Sequence, residues 1–306
     1  MNKLQANVCL LCVTFCWSTE VIIFASIPGD VHPFATTCIT SAIAAVILAF
    51  FFRKRIADGV RSSGNRVFRD SILLGVINCL YNALYIYGLK YFDVSSGAFT
   101  LCMTAVVLPV VLLIIREKVS KKTWLSAMLI TAGMFFALAG TVRGEQLIGL
   151  LIIGAGSVLR AVYIVLLNKK ASEHDPVTLS TLVTSAICLA GLVIWFIGDH
   201  RLFMGIEWTG SMVASFFIYG YFVAGFAMTL NIFAQRGTTA ATATIIYSLE
   251  IVFSVIWGAI LPPNLITPVA ITPRVAVGVM FVVAGGIVEV IDFRNMRGKG
   301  AARLEK

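Results

Sequence analysis

Residues Leu147–Asn168 read LIGLLIIGAGSVLRAVYIVLLN, and this stretch decides the fold. It has 22 residues and one formal charge, Arg160. A helix needs about 20 mainly apolar residues to cross a bilayer, so the stretch reads as a membrane span. Arg160 falls near its middle. A guanidinium at that depth costs at least about 2.5–3.5 kcal/mol on insertion scales, so it should face the protein interior with a partner.

The rest of the chain has the same character. Of 306 residues, 59% are hydrophobic and 13% charged. A soluble domain carries about 25% charged residues, so this is an all-α polytopic membrane protein. Ten spans are expected, at 6–26, 33–52, 70–89, 94–115, 122–140, 147–168, 177–198, 210–234, 239–261 and 274–293. The connections are short, which predicts that sequential helices are antiparallel neighbours. The N-terminal apolar run exceeds the roughly 7–15 residues of a signal-peptide core and reads as an uncleaved first helix.

The pI near 9.3 does not point to nucleic acid, because the basic residues sit in short connections. Nineteen of the 24 Lys and Arg lie on one side, including Arg53, Lys54, Arg55, Arg61, Arg66 and Arg69 between the second and third spans. The opposite side holds Lys90, Arg143, Arg201 and Arg274. The positive-inside rule then places both termini in the cytoplasm of a multi-pass cell-membrane protein.

The seven cysteines all fall in apolar segments, which argues against disulfides between outer loops. Cys9, Cys12 and Cys16 share a helix face without a histidine nearby, so they read as packing residues and no metal site is expected.

An internal repeat is visible at an offset of about 143 residues. Pro33 precedes Thr40-Ser41-Ala42-Ile43, and Pro176 precedes Thr184-Ser185-Ala186-Ile187. The turn Val94-Ser95-Ser96-Gly97-Ala98 has its counterpart in Gly237-Thr238-Thr239-Ala240-Ala241. The chain divides into 1–143 and 144–306, the second with a short basic tail. Five spans per half gives the halves opposite orientation, as in secondary transporters with a site at the repeat interface.

With Cys16-Trp17-Ser18 in the first span, Leu108-Pro109 in the fourth and Leu249-Glu250 at the matching place in the ninth, the chain resembles the drug/metabolite transporter superfamily in its ten-helix EamA-type branch. That family often has Glu-Pro where this chain has Glu250-Ile251. The resemblance covers about residues 6–293. It implies a carrier with a central cavity lined by the first, third, fourth, sixth, eighth and ninth helices. The family's cargoes include amino acids, sugars, nucleotide derivatives and amphiphilic drugs.

Three charges stand well inside spans: Glu20, Arg160 and Glu250. At about 1.5 Å per residue, Arg160 and Glu250 come within about 4 Å of the midplane and Glu20 about 6 Å towards the outside. One reading is a buried ion pair that fixes packing. The other is a binding cluster, since intramembrane ionisable residues mark function. Two acids for one base leave a residual carboxylate, which points to proton coupling or an amine-bearing substrate. An amino acid suits the cluster, with its carboxylate on Arg160 and its ammonium on Glu20 or Glu250.

Asn78, Asn82 and Tyr85 share a face of the third span, and Tyr81 adjoins them. They are expected either to line the cavity or to bond between helices. Trp17, Tyr163, Tyr219, Tyr247, Ser248 and Trp257 are candidates for its walls, where aromatic faces suit an ammonium. Tyr163 lies one turn from Arg160. Glu289 and Asp292, near the inner end of the last span, read as interfacial anchors, and Pro109 as a kink. The uncharged outer loop Pro262–Pro273 has no counterpart in the first half.

No Walker motif, zinc-protease signature or nucleophile elbow is present, so no cofactor and no enzymatic activity is expected. The alternative of another class is a non-transporting membrane protein, a lipid-modifying enzyme or a scaffold; an enzyme would need reactive polar residues in extended loops, whereas these connections are short and mostly basic. The expected function is secondary transport of small polar or zwitterionic metabolites by alternating access, with amino-acid export first and export of cationic or aromatic drugs second. The substrate-binding set is Arg160, Glu20, Glu250, Trp17, Asn78, Tyr81, Asn82, Tyr85, Tyr163, Tyr247 and Ser248. Partners are the small-molecule substrate and the lipid bilayer.

Overall fold

The computed structural model describes residues 1–19, 31–92, 99–139, 142, 144–261 and 272–290. Glu20, the turn 94–98, Arg143, most of the outer loop at 262–271, Asp292 and the basic tail lie outside the described residues. Among the described residues all regular structure is helical. The helices are α1 Lys3–Ser18, α2 Pro33–Ser63, α3 Asn65–Leu89, α4 Met103–Ile114, α5 Lys121–Leu138 and α6 Glu145–Ala171. They continue as α7 Pro176–Gly198, α8 Gly210–Ile218, α9 Met228–Gln235, α10 Ala240–Tyr247, α11 Glu250–Ile260 and α12 Pro273–Val290.

A π-helical run, Tyr219–Ala227, joins α8 to α9. Among the described residues, seven stretches are long and apolar enough to cross a membrane: α2, α3, α6, α7, Gly210–Gln235, Ala240–Ile260 and α12. The described parts of the other three expected spans fall on α1, on the shorter apolar helix Phe99–Ile114, and on α5, which opens on Lys121 and Lys122, and none of these three is among the seven. Large side chains such as Phe50, Phe51, Phe135 and Ile197 point outward, as a lipid-facing belt requires.

The repeated proline motif is a helix start. His32 and Asp175 are N-caps, each followed by proline at the first helical position, where its missing N–H costs nothing. His32 Nδ1 accepts from the Phe34 amide at 3.3 Å, and Asp175 Oδ1 from the Val177 and Thr178 amides at 3.1 and 3.0 Å.

Packing corrects the expectation of sequential neighbours. The main interfaces join the repeats: α2 with α7, α5 with α12, α3 with α6, and α1 with α9 and α10. Short connections fix direction and bring ends together, but small residues decide which faces meet. A Cβ on Gly75 would come 2.5 Å from the Ala186 Cβ, and one on Gly133 would come 2.6 Å from the Gly278 carbonyl oxygen. Gly59 meets Thr178 while Cys38 meets Gly191, so α2 and α7 run antiparallel. Gly133 meets Gly278 while Gly285 meets Ile130, so α5 and α12 do too. Each pair is made of corresponding helices from the two repeats, and antiparallel correspondence is what an inverted repeat produces.

Other expectations need correction. The connection at 52–70 is largely helical: α2 runs on to Ser63 past one non-helical residue, Phe52, and α3 begins at Asn65. The fourth apolar helix is interrupted at Cys102 rather than at Pro109. The ninth is interrupted at Ser248-Leu249. Glu289 is not an interfacial anchor. It is 5% exposed and accepts a hydrogen bond from the Thr242 hydroxyl at 2.9 Å, so it turns inward between α10 and α12.

Candidate functional site

The interruptions at Cys102 and Ser248-Leu249 lie in corresponding helices of the two repeats, the fourth and the ninth, and they touch. Cys102 Sγ donates to the Ser248 carbonyl at 3.8 Å. At each, tight turns replace α-helical bonding, with Ala105 N–H donating to Cys102 O and Val252 N–H to Leu249 O. Glu250 is therefore the first residue of α11, at a helix N-terminus inside the span. Broken helices in corresponding positions of two repeats are a pointer to a transport site.

Arg160 on α6 faces the same region. Its guanidinium carbon lies 5.8 Å from the centre of the Tyr85 ring. Its charge acts on Tyr163, Tyr247, Cys102 and Glu250. Arg160 and Glu250 are both half-buried, and among the described residues they do not pair within 4.0 Å. Two opposite charges inside one span region thus stand near each other without a direct ion pair.

Aromatic rings gather near Arg160. Tyr81 lies 5.7 Å from Tyr85 and 5.6 Å from Tyr163, centroid to centroid. Trp17 lies 5.1 Å from Tyr247. The tyrosine hydroxyls are engaged within the protein. Tyr85 Oη bonds Thr104 Oγ1 at 2.7 Å and Ser157 Oγ at 3.1 Å. Tyr81 Oη accepts from Asn78 Nδ2 at 2.8 Å, and Asn82 Nδ2 donates back to Asn78 Oδ1 at 2.8 Å. Tyr163 Oη donates to Met228 Sδ at 3.9 Å. Tyr247 Oη donates to Asn231 Oδ1 and accepts from Gln235 Nε2 at 2.7 Å. The rings are fixed by these bonds, and what they offer a ligand is their faces.

The structure thus gathers Arg160, Tyr81, Tyr85, Asn78, Asn82, Tyr163, Tyr247, Trp17 and Glu250 around one region. Ser248 does not offer its hydroxyl, which donates to the Ile245 carbonyl of its own helix at 2.6 Å. Trp257 stands apart, donating to Ser18 Oγ at 2.9 Å and so tying α11 to α1. Sequence reading missed Asn231, Gln235 and Asn168, which form one chain behind Tyr247: Asn168 Nδ2 donates to Gln235 Oε1 at 2.7 Å. Their spacing carried a signal, since Asn231 and Gln235 are four apart on one helix face. Both lie close to Arg236, so they read as a polar helix end.

Asp70, Glu173 and His174 bring potential metal-binding atoms within 4.8 Å of one another. The Lys170 ammonium already sits there, 3.2 Å from Asp70 Oδ2 and 2.8 Å from Glu173 Oε2. His174 Nε2 lies 2.9 Å from Asp70 Oδ2. These residues form an ion-pair cluster joining the repeats at the ends of α3 and α6.

The sequence pattern of the EamA-like transporter family matches twice, over residues 4–139 and 147–288. Comparison with curated proteins gives no match. Among solved structures, one titled "Crystal structure of protein" superposes with a TM-score of 0.71 at 20% identity, covering 94% of this chain and 98% of that one. At that identity the likeness concerns the fold.

Proposed function

The chain belongs to the EamA-like transporter family of the drug/metabolite transporter superfamily, and from that premise we propose that it carries small zwitterionic metabolites, amino acids or related compounds, outward across the cell membrane. The observation that carries this reading is that, among the described residues, Arg160 and Glu250 stand beside the two helix interruptions without a direct ion pair. A zwitterion completes both charges at once. Its carboxylate takes the guanidinium, a charge-assisted bond, and its ammonium takes Glu250 and the aromatic faces. Glu250 also serves as a proton carrier when no ammonium is bound. Glu20 belongs to the proposed set by its place in the sequence.

In this reading the chain crosses the bilayer ten times with both termini in the cytoplasm, and its two halves, 1–143 and 144–306, alternate access to the site. The inverted pairing of α2 with α7 and of α5 with α12 supports such a mechanism. A second reading, a carrier of cationic or aromatic drugs, is favoured by the Arg160 guanidinium lying over Tyr85. There Arg160 is structural and the ring faces with Glu250 hold the cation.

The test is flux in proteoliposomes, with amino acids and quaternary amines as cargo, with and without a pH gradient. Arg160→Ala is expected to raise the amino-acid KM roughly ten- to a hundredfold, the worth of one charge-assisted hydrogen bond. Glu250→Gln is expected to abolish the response to the pH gradient. If Arg160→Ala and Glu250→Gln, both shown monodisperse, transport amino acids like wild type, the assignment fails. Cation flux alone, kept in Arg160→Ala, selects the second reading.

A further inference from the structure

Cys38 on α2 and Cys188 on α7 come from opposite repeats, and their Sγ atoms lie 3.8 Å apart. The two helices approach closely at this level. A Cβ on Gly191, one turn beyond Cys188, would stand 3.5 Å from the Cys38 nitrogen and 3.7 Å from its Cα. A disulfide needs its sulfurs about 2.05 Å apart and its Cα atoms within about 4.4–6.8 Å. From 3.8 Å the two sulfurs must approach by roughly 1.8 Å to bond, a movement that side-chain rotation has to supply. Both cysteines are free thiols, and they differ in access: Cys38 is 4% exposed, whereas Cys188 is partly exposed next to the outward-facing Leu189. A reagent dissolved in the bilayer therefore reaches Cys188 first.

We infer that Cys38 and Cys188 are a dithiol modification site, which closes to a disulfide between the two repeats inside the membrane when it meets a small apolar disulfide. The chemistry is thiol–disulfide exchange. The Cys188 sulfur gives up its proton and attacks one sulfur of the reagent, whose S–S bond breaks, and one reagent thiol leaves. The Cys38 sulfur then gives up its proton and attacks Cys188 in the mixed disulfide, and the second reagent thiol leaves. The pair is oxidised by two electrons, and the reagent is reduced to two thiols carrying the two protons. The bond formed pins α2 to α7, the pair that relates the repeats.

The probe is dithiodipyridine, a membrane-permeant disulfide that releases coloured thiopyridone. It is applied to purified protein in which Cys9, Cys12, Cys16, Cys79 and Cys102 are replaced by Ala. The expected result is two equivalents of thiopyridone per protein and a mass lower by two hydrogens, with no pyridyl adduct. Adding Cys38→Ser should stop the reaction at one equivalent and leave the adduct on Cys188. One equivalent with a stable adduct on the intact pair, or no reaction, overturns the inference. Should the multiply substituted protein fail to fold, non-reducing peptide mapping of oxidised wild type decides. A peptide linking positions 38 and 188 supports the site, and separate adducts, or unmodified thiols, at both overturn it. The readout is sulfur chemistry, so it stands apart from the outcome of the flux test.

Discussion

Arg116 is a residue in a conformation that suits another. Its φ is 61°, the one positive value outside glycine among the described residues. It closes α4: the Arg116 amide donates to the Leu113 carbonyl at 2.9 Å and the Glu117 amide to the Leu112 carbonyl at 2.8 Å. This is the Schellman arrangement, whose left-handed position favours glycine by about 1 kcal/mol. Arg116→Gly is therefore expected to raise stability by up to about 1 kcal/mol, read as a higher midpoint of thermal unfolding in detergent. A lower midpoint would mean that the arginine side chain makes a contact outweighing its backbone strain. At this scale the site was partly legible. Arg160 and Glu250 stand out because a lone charge in an apolar run is conspicuous. Asp70 does not, because it follows Arg66 and Arg69 and so resembles a solvated loop, although it is 3% exposed. Its partners Lys170 and His174 are a hundred residues away in the chain, and no local pattern announces such a meeting.

At the scale of elements, seven apolar crossing helices were legible among the described residues and their neighbours were not. Apolar length reveals that a segment crosses, and an N-cap followed by proline reveals where it starts. Neither says which face meets which helix, because a glycine's close approach depends on what lies opposite. The α5/α12 pair shows the stake. A Cβ at Gly133 collides with backbone at the Gly278 oxygen, which cannot rotate away as a side chain would. Gly133→Ala is expected to lower stability by about 1–3 kcal/mol, the usual cost of overpacking, and a wild-type melting midpoint would show that the helices slide apart freely. The α2/α7 pair carries an electrostatic tie at its other end from the thiols. Arg55 Nε and Nη2 both donate to Asp175 Oδ2, at 2.9 and 2.7 Å. Burial acts to raise the Asp175 carboxyl, but the bonds from Arg55 and the Thr178 amide outweigh it and hold the group below the usual carboxylate range. A depressed folded value means stability that is present above about pH 3.9, the unfolded value, and lost as pH falls through the folded one. Asp175→Asn should melt earlier than wild type near neutral pH, and the difference should shrink below about pH 3.9. A difference that stays constant with pH would assign the effect to capping of α7 instead.

For the whole molecule, the division at 143/144 that the sequence suggests is not a division of packing. The strongest interfaces lie between the repeats, so neither half has a core of its own. The larger apolar core contains Leu10, Phe34 and Leu74 from the first repeat beside Leu167, Leu179 and Ile232 from the second. Polar ties run the same way, with Asp70 on His174 and Lys170, Glu117 on Lys169 at 2.6 Å, and Arg55 on Asp175. All four second-repeat partners come from the short segment 169–175, so one connection anchors three parts of the first repeat. A chain cut between residues 142 and 144 should therefore behave in a way that independent domains would not. Expressed together, the two pieces are expected to assemble, with a tag on one retaining the other through size-exclusion chromatography. Expressed alone, each should expose its half of the core and be lost to aggregation or degradation. Asp70→Asn in the split protein should weaken the recovery of the pair, because His174 and Lys170 then lose the carboxylate that draws them across. A second half that is monodisperse and melts cooperatively by itself would show that the repeats fold separately and that their intimate packing is a later docking step.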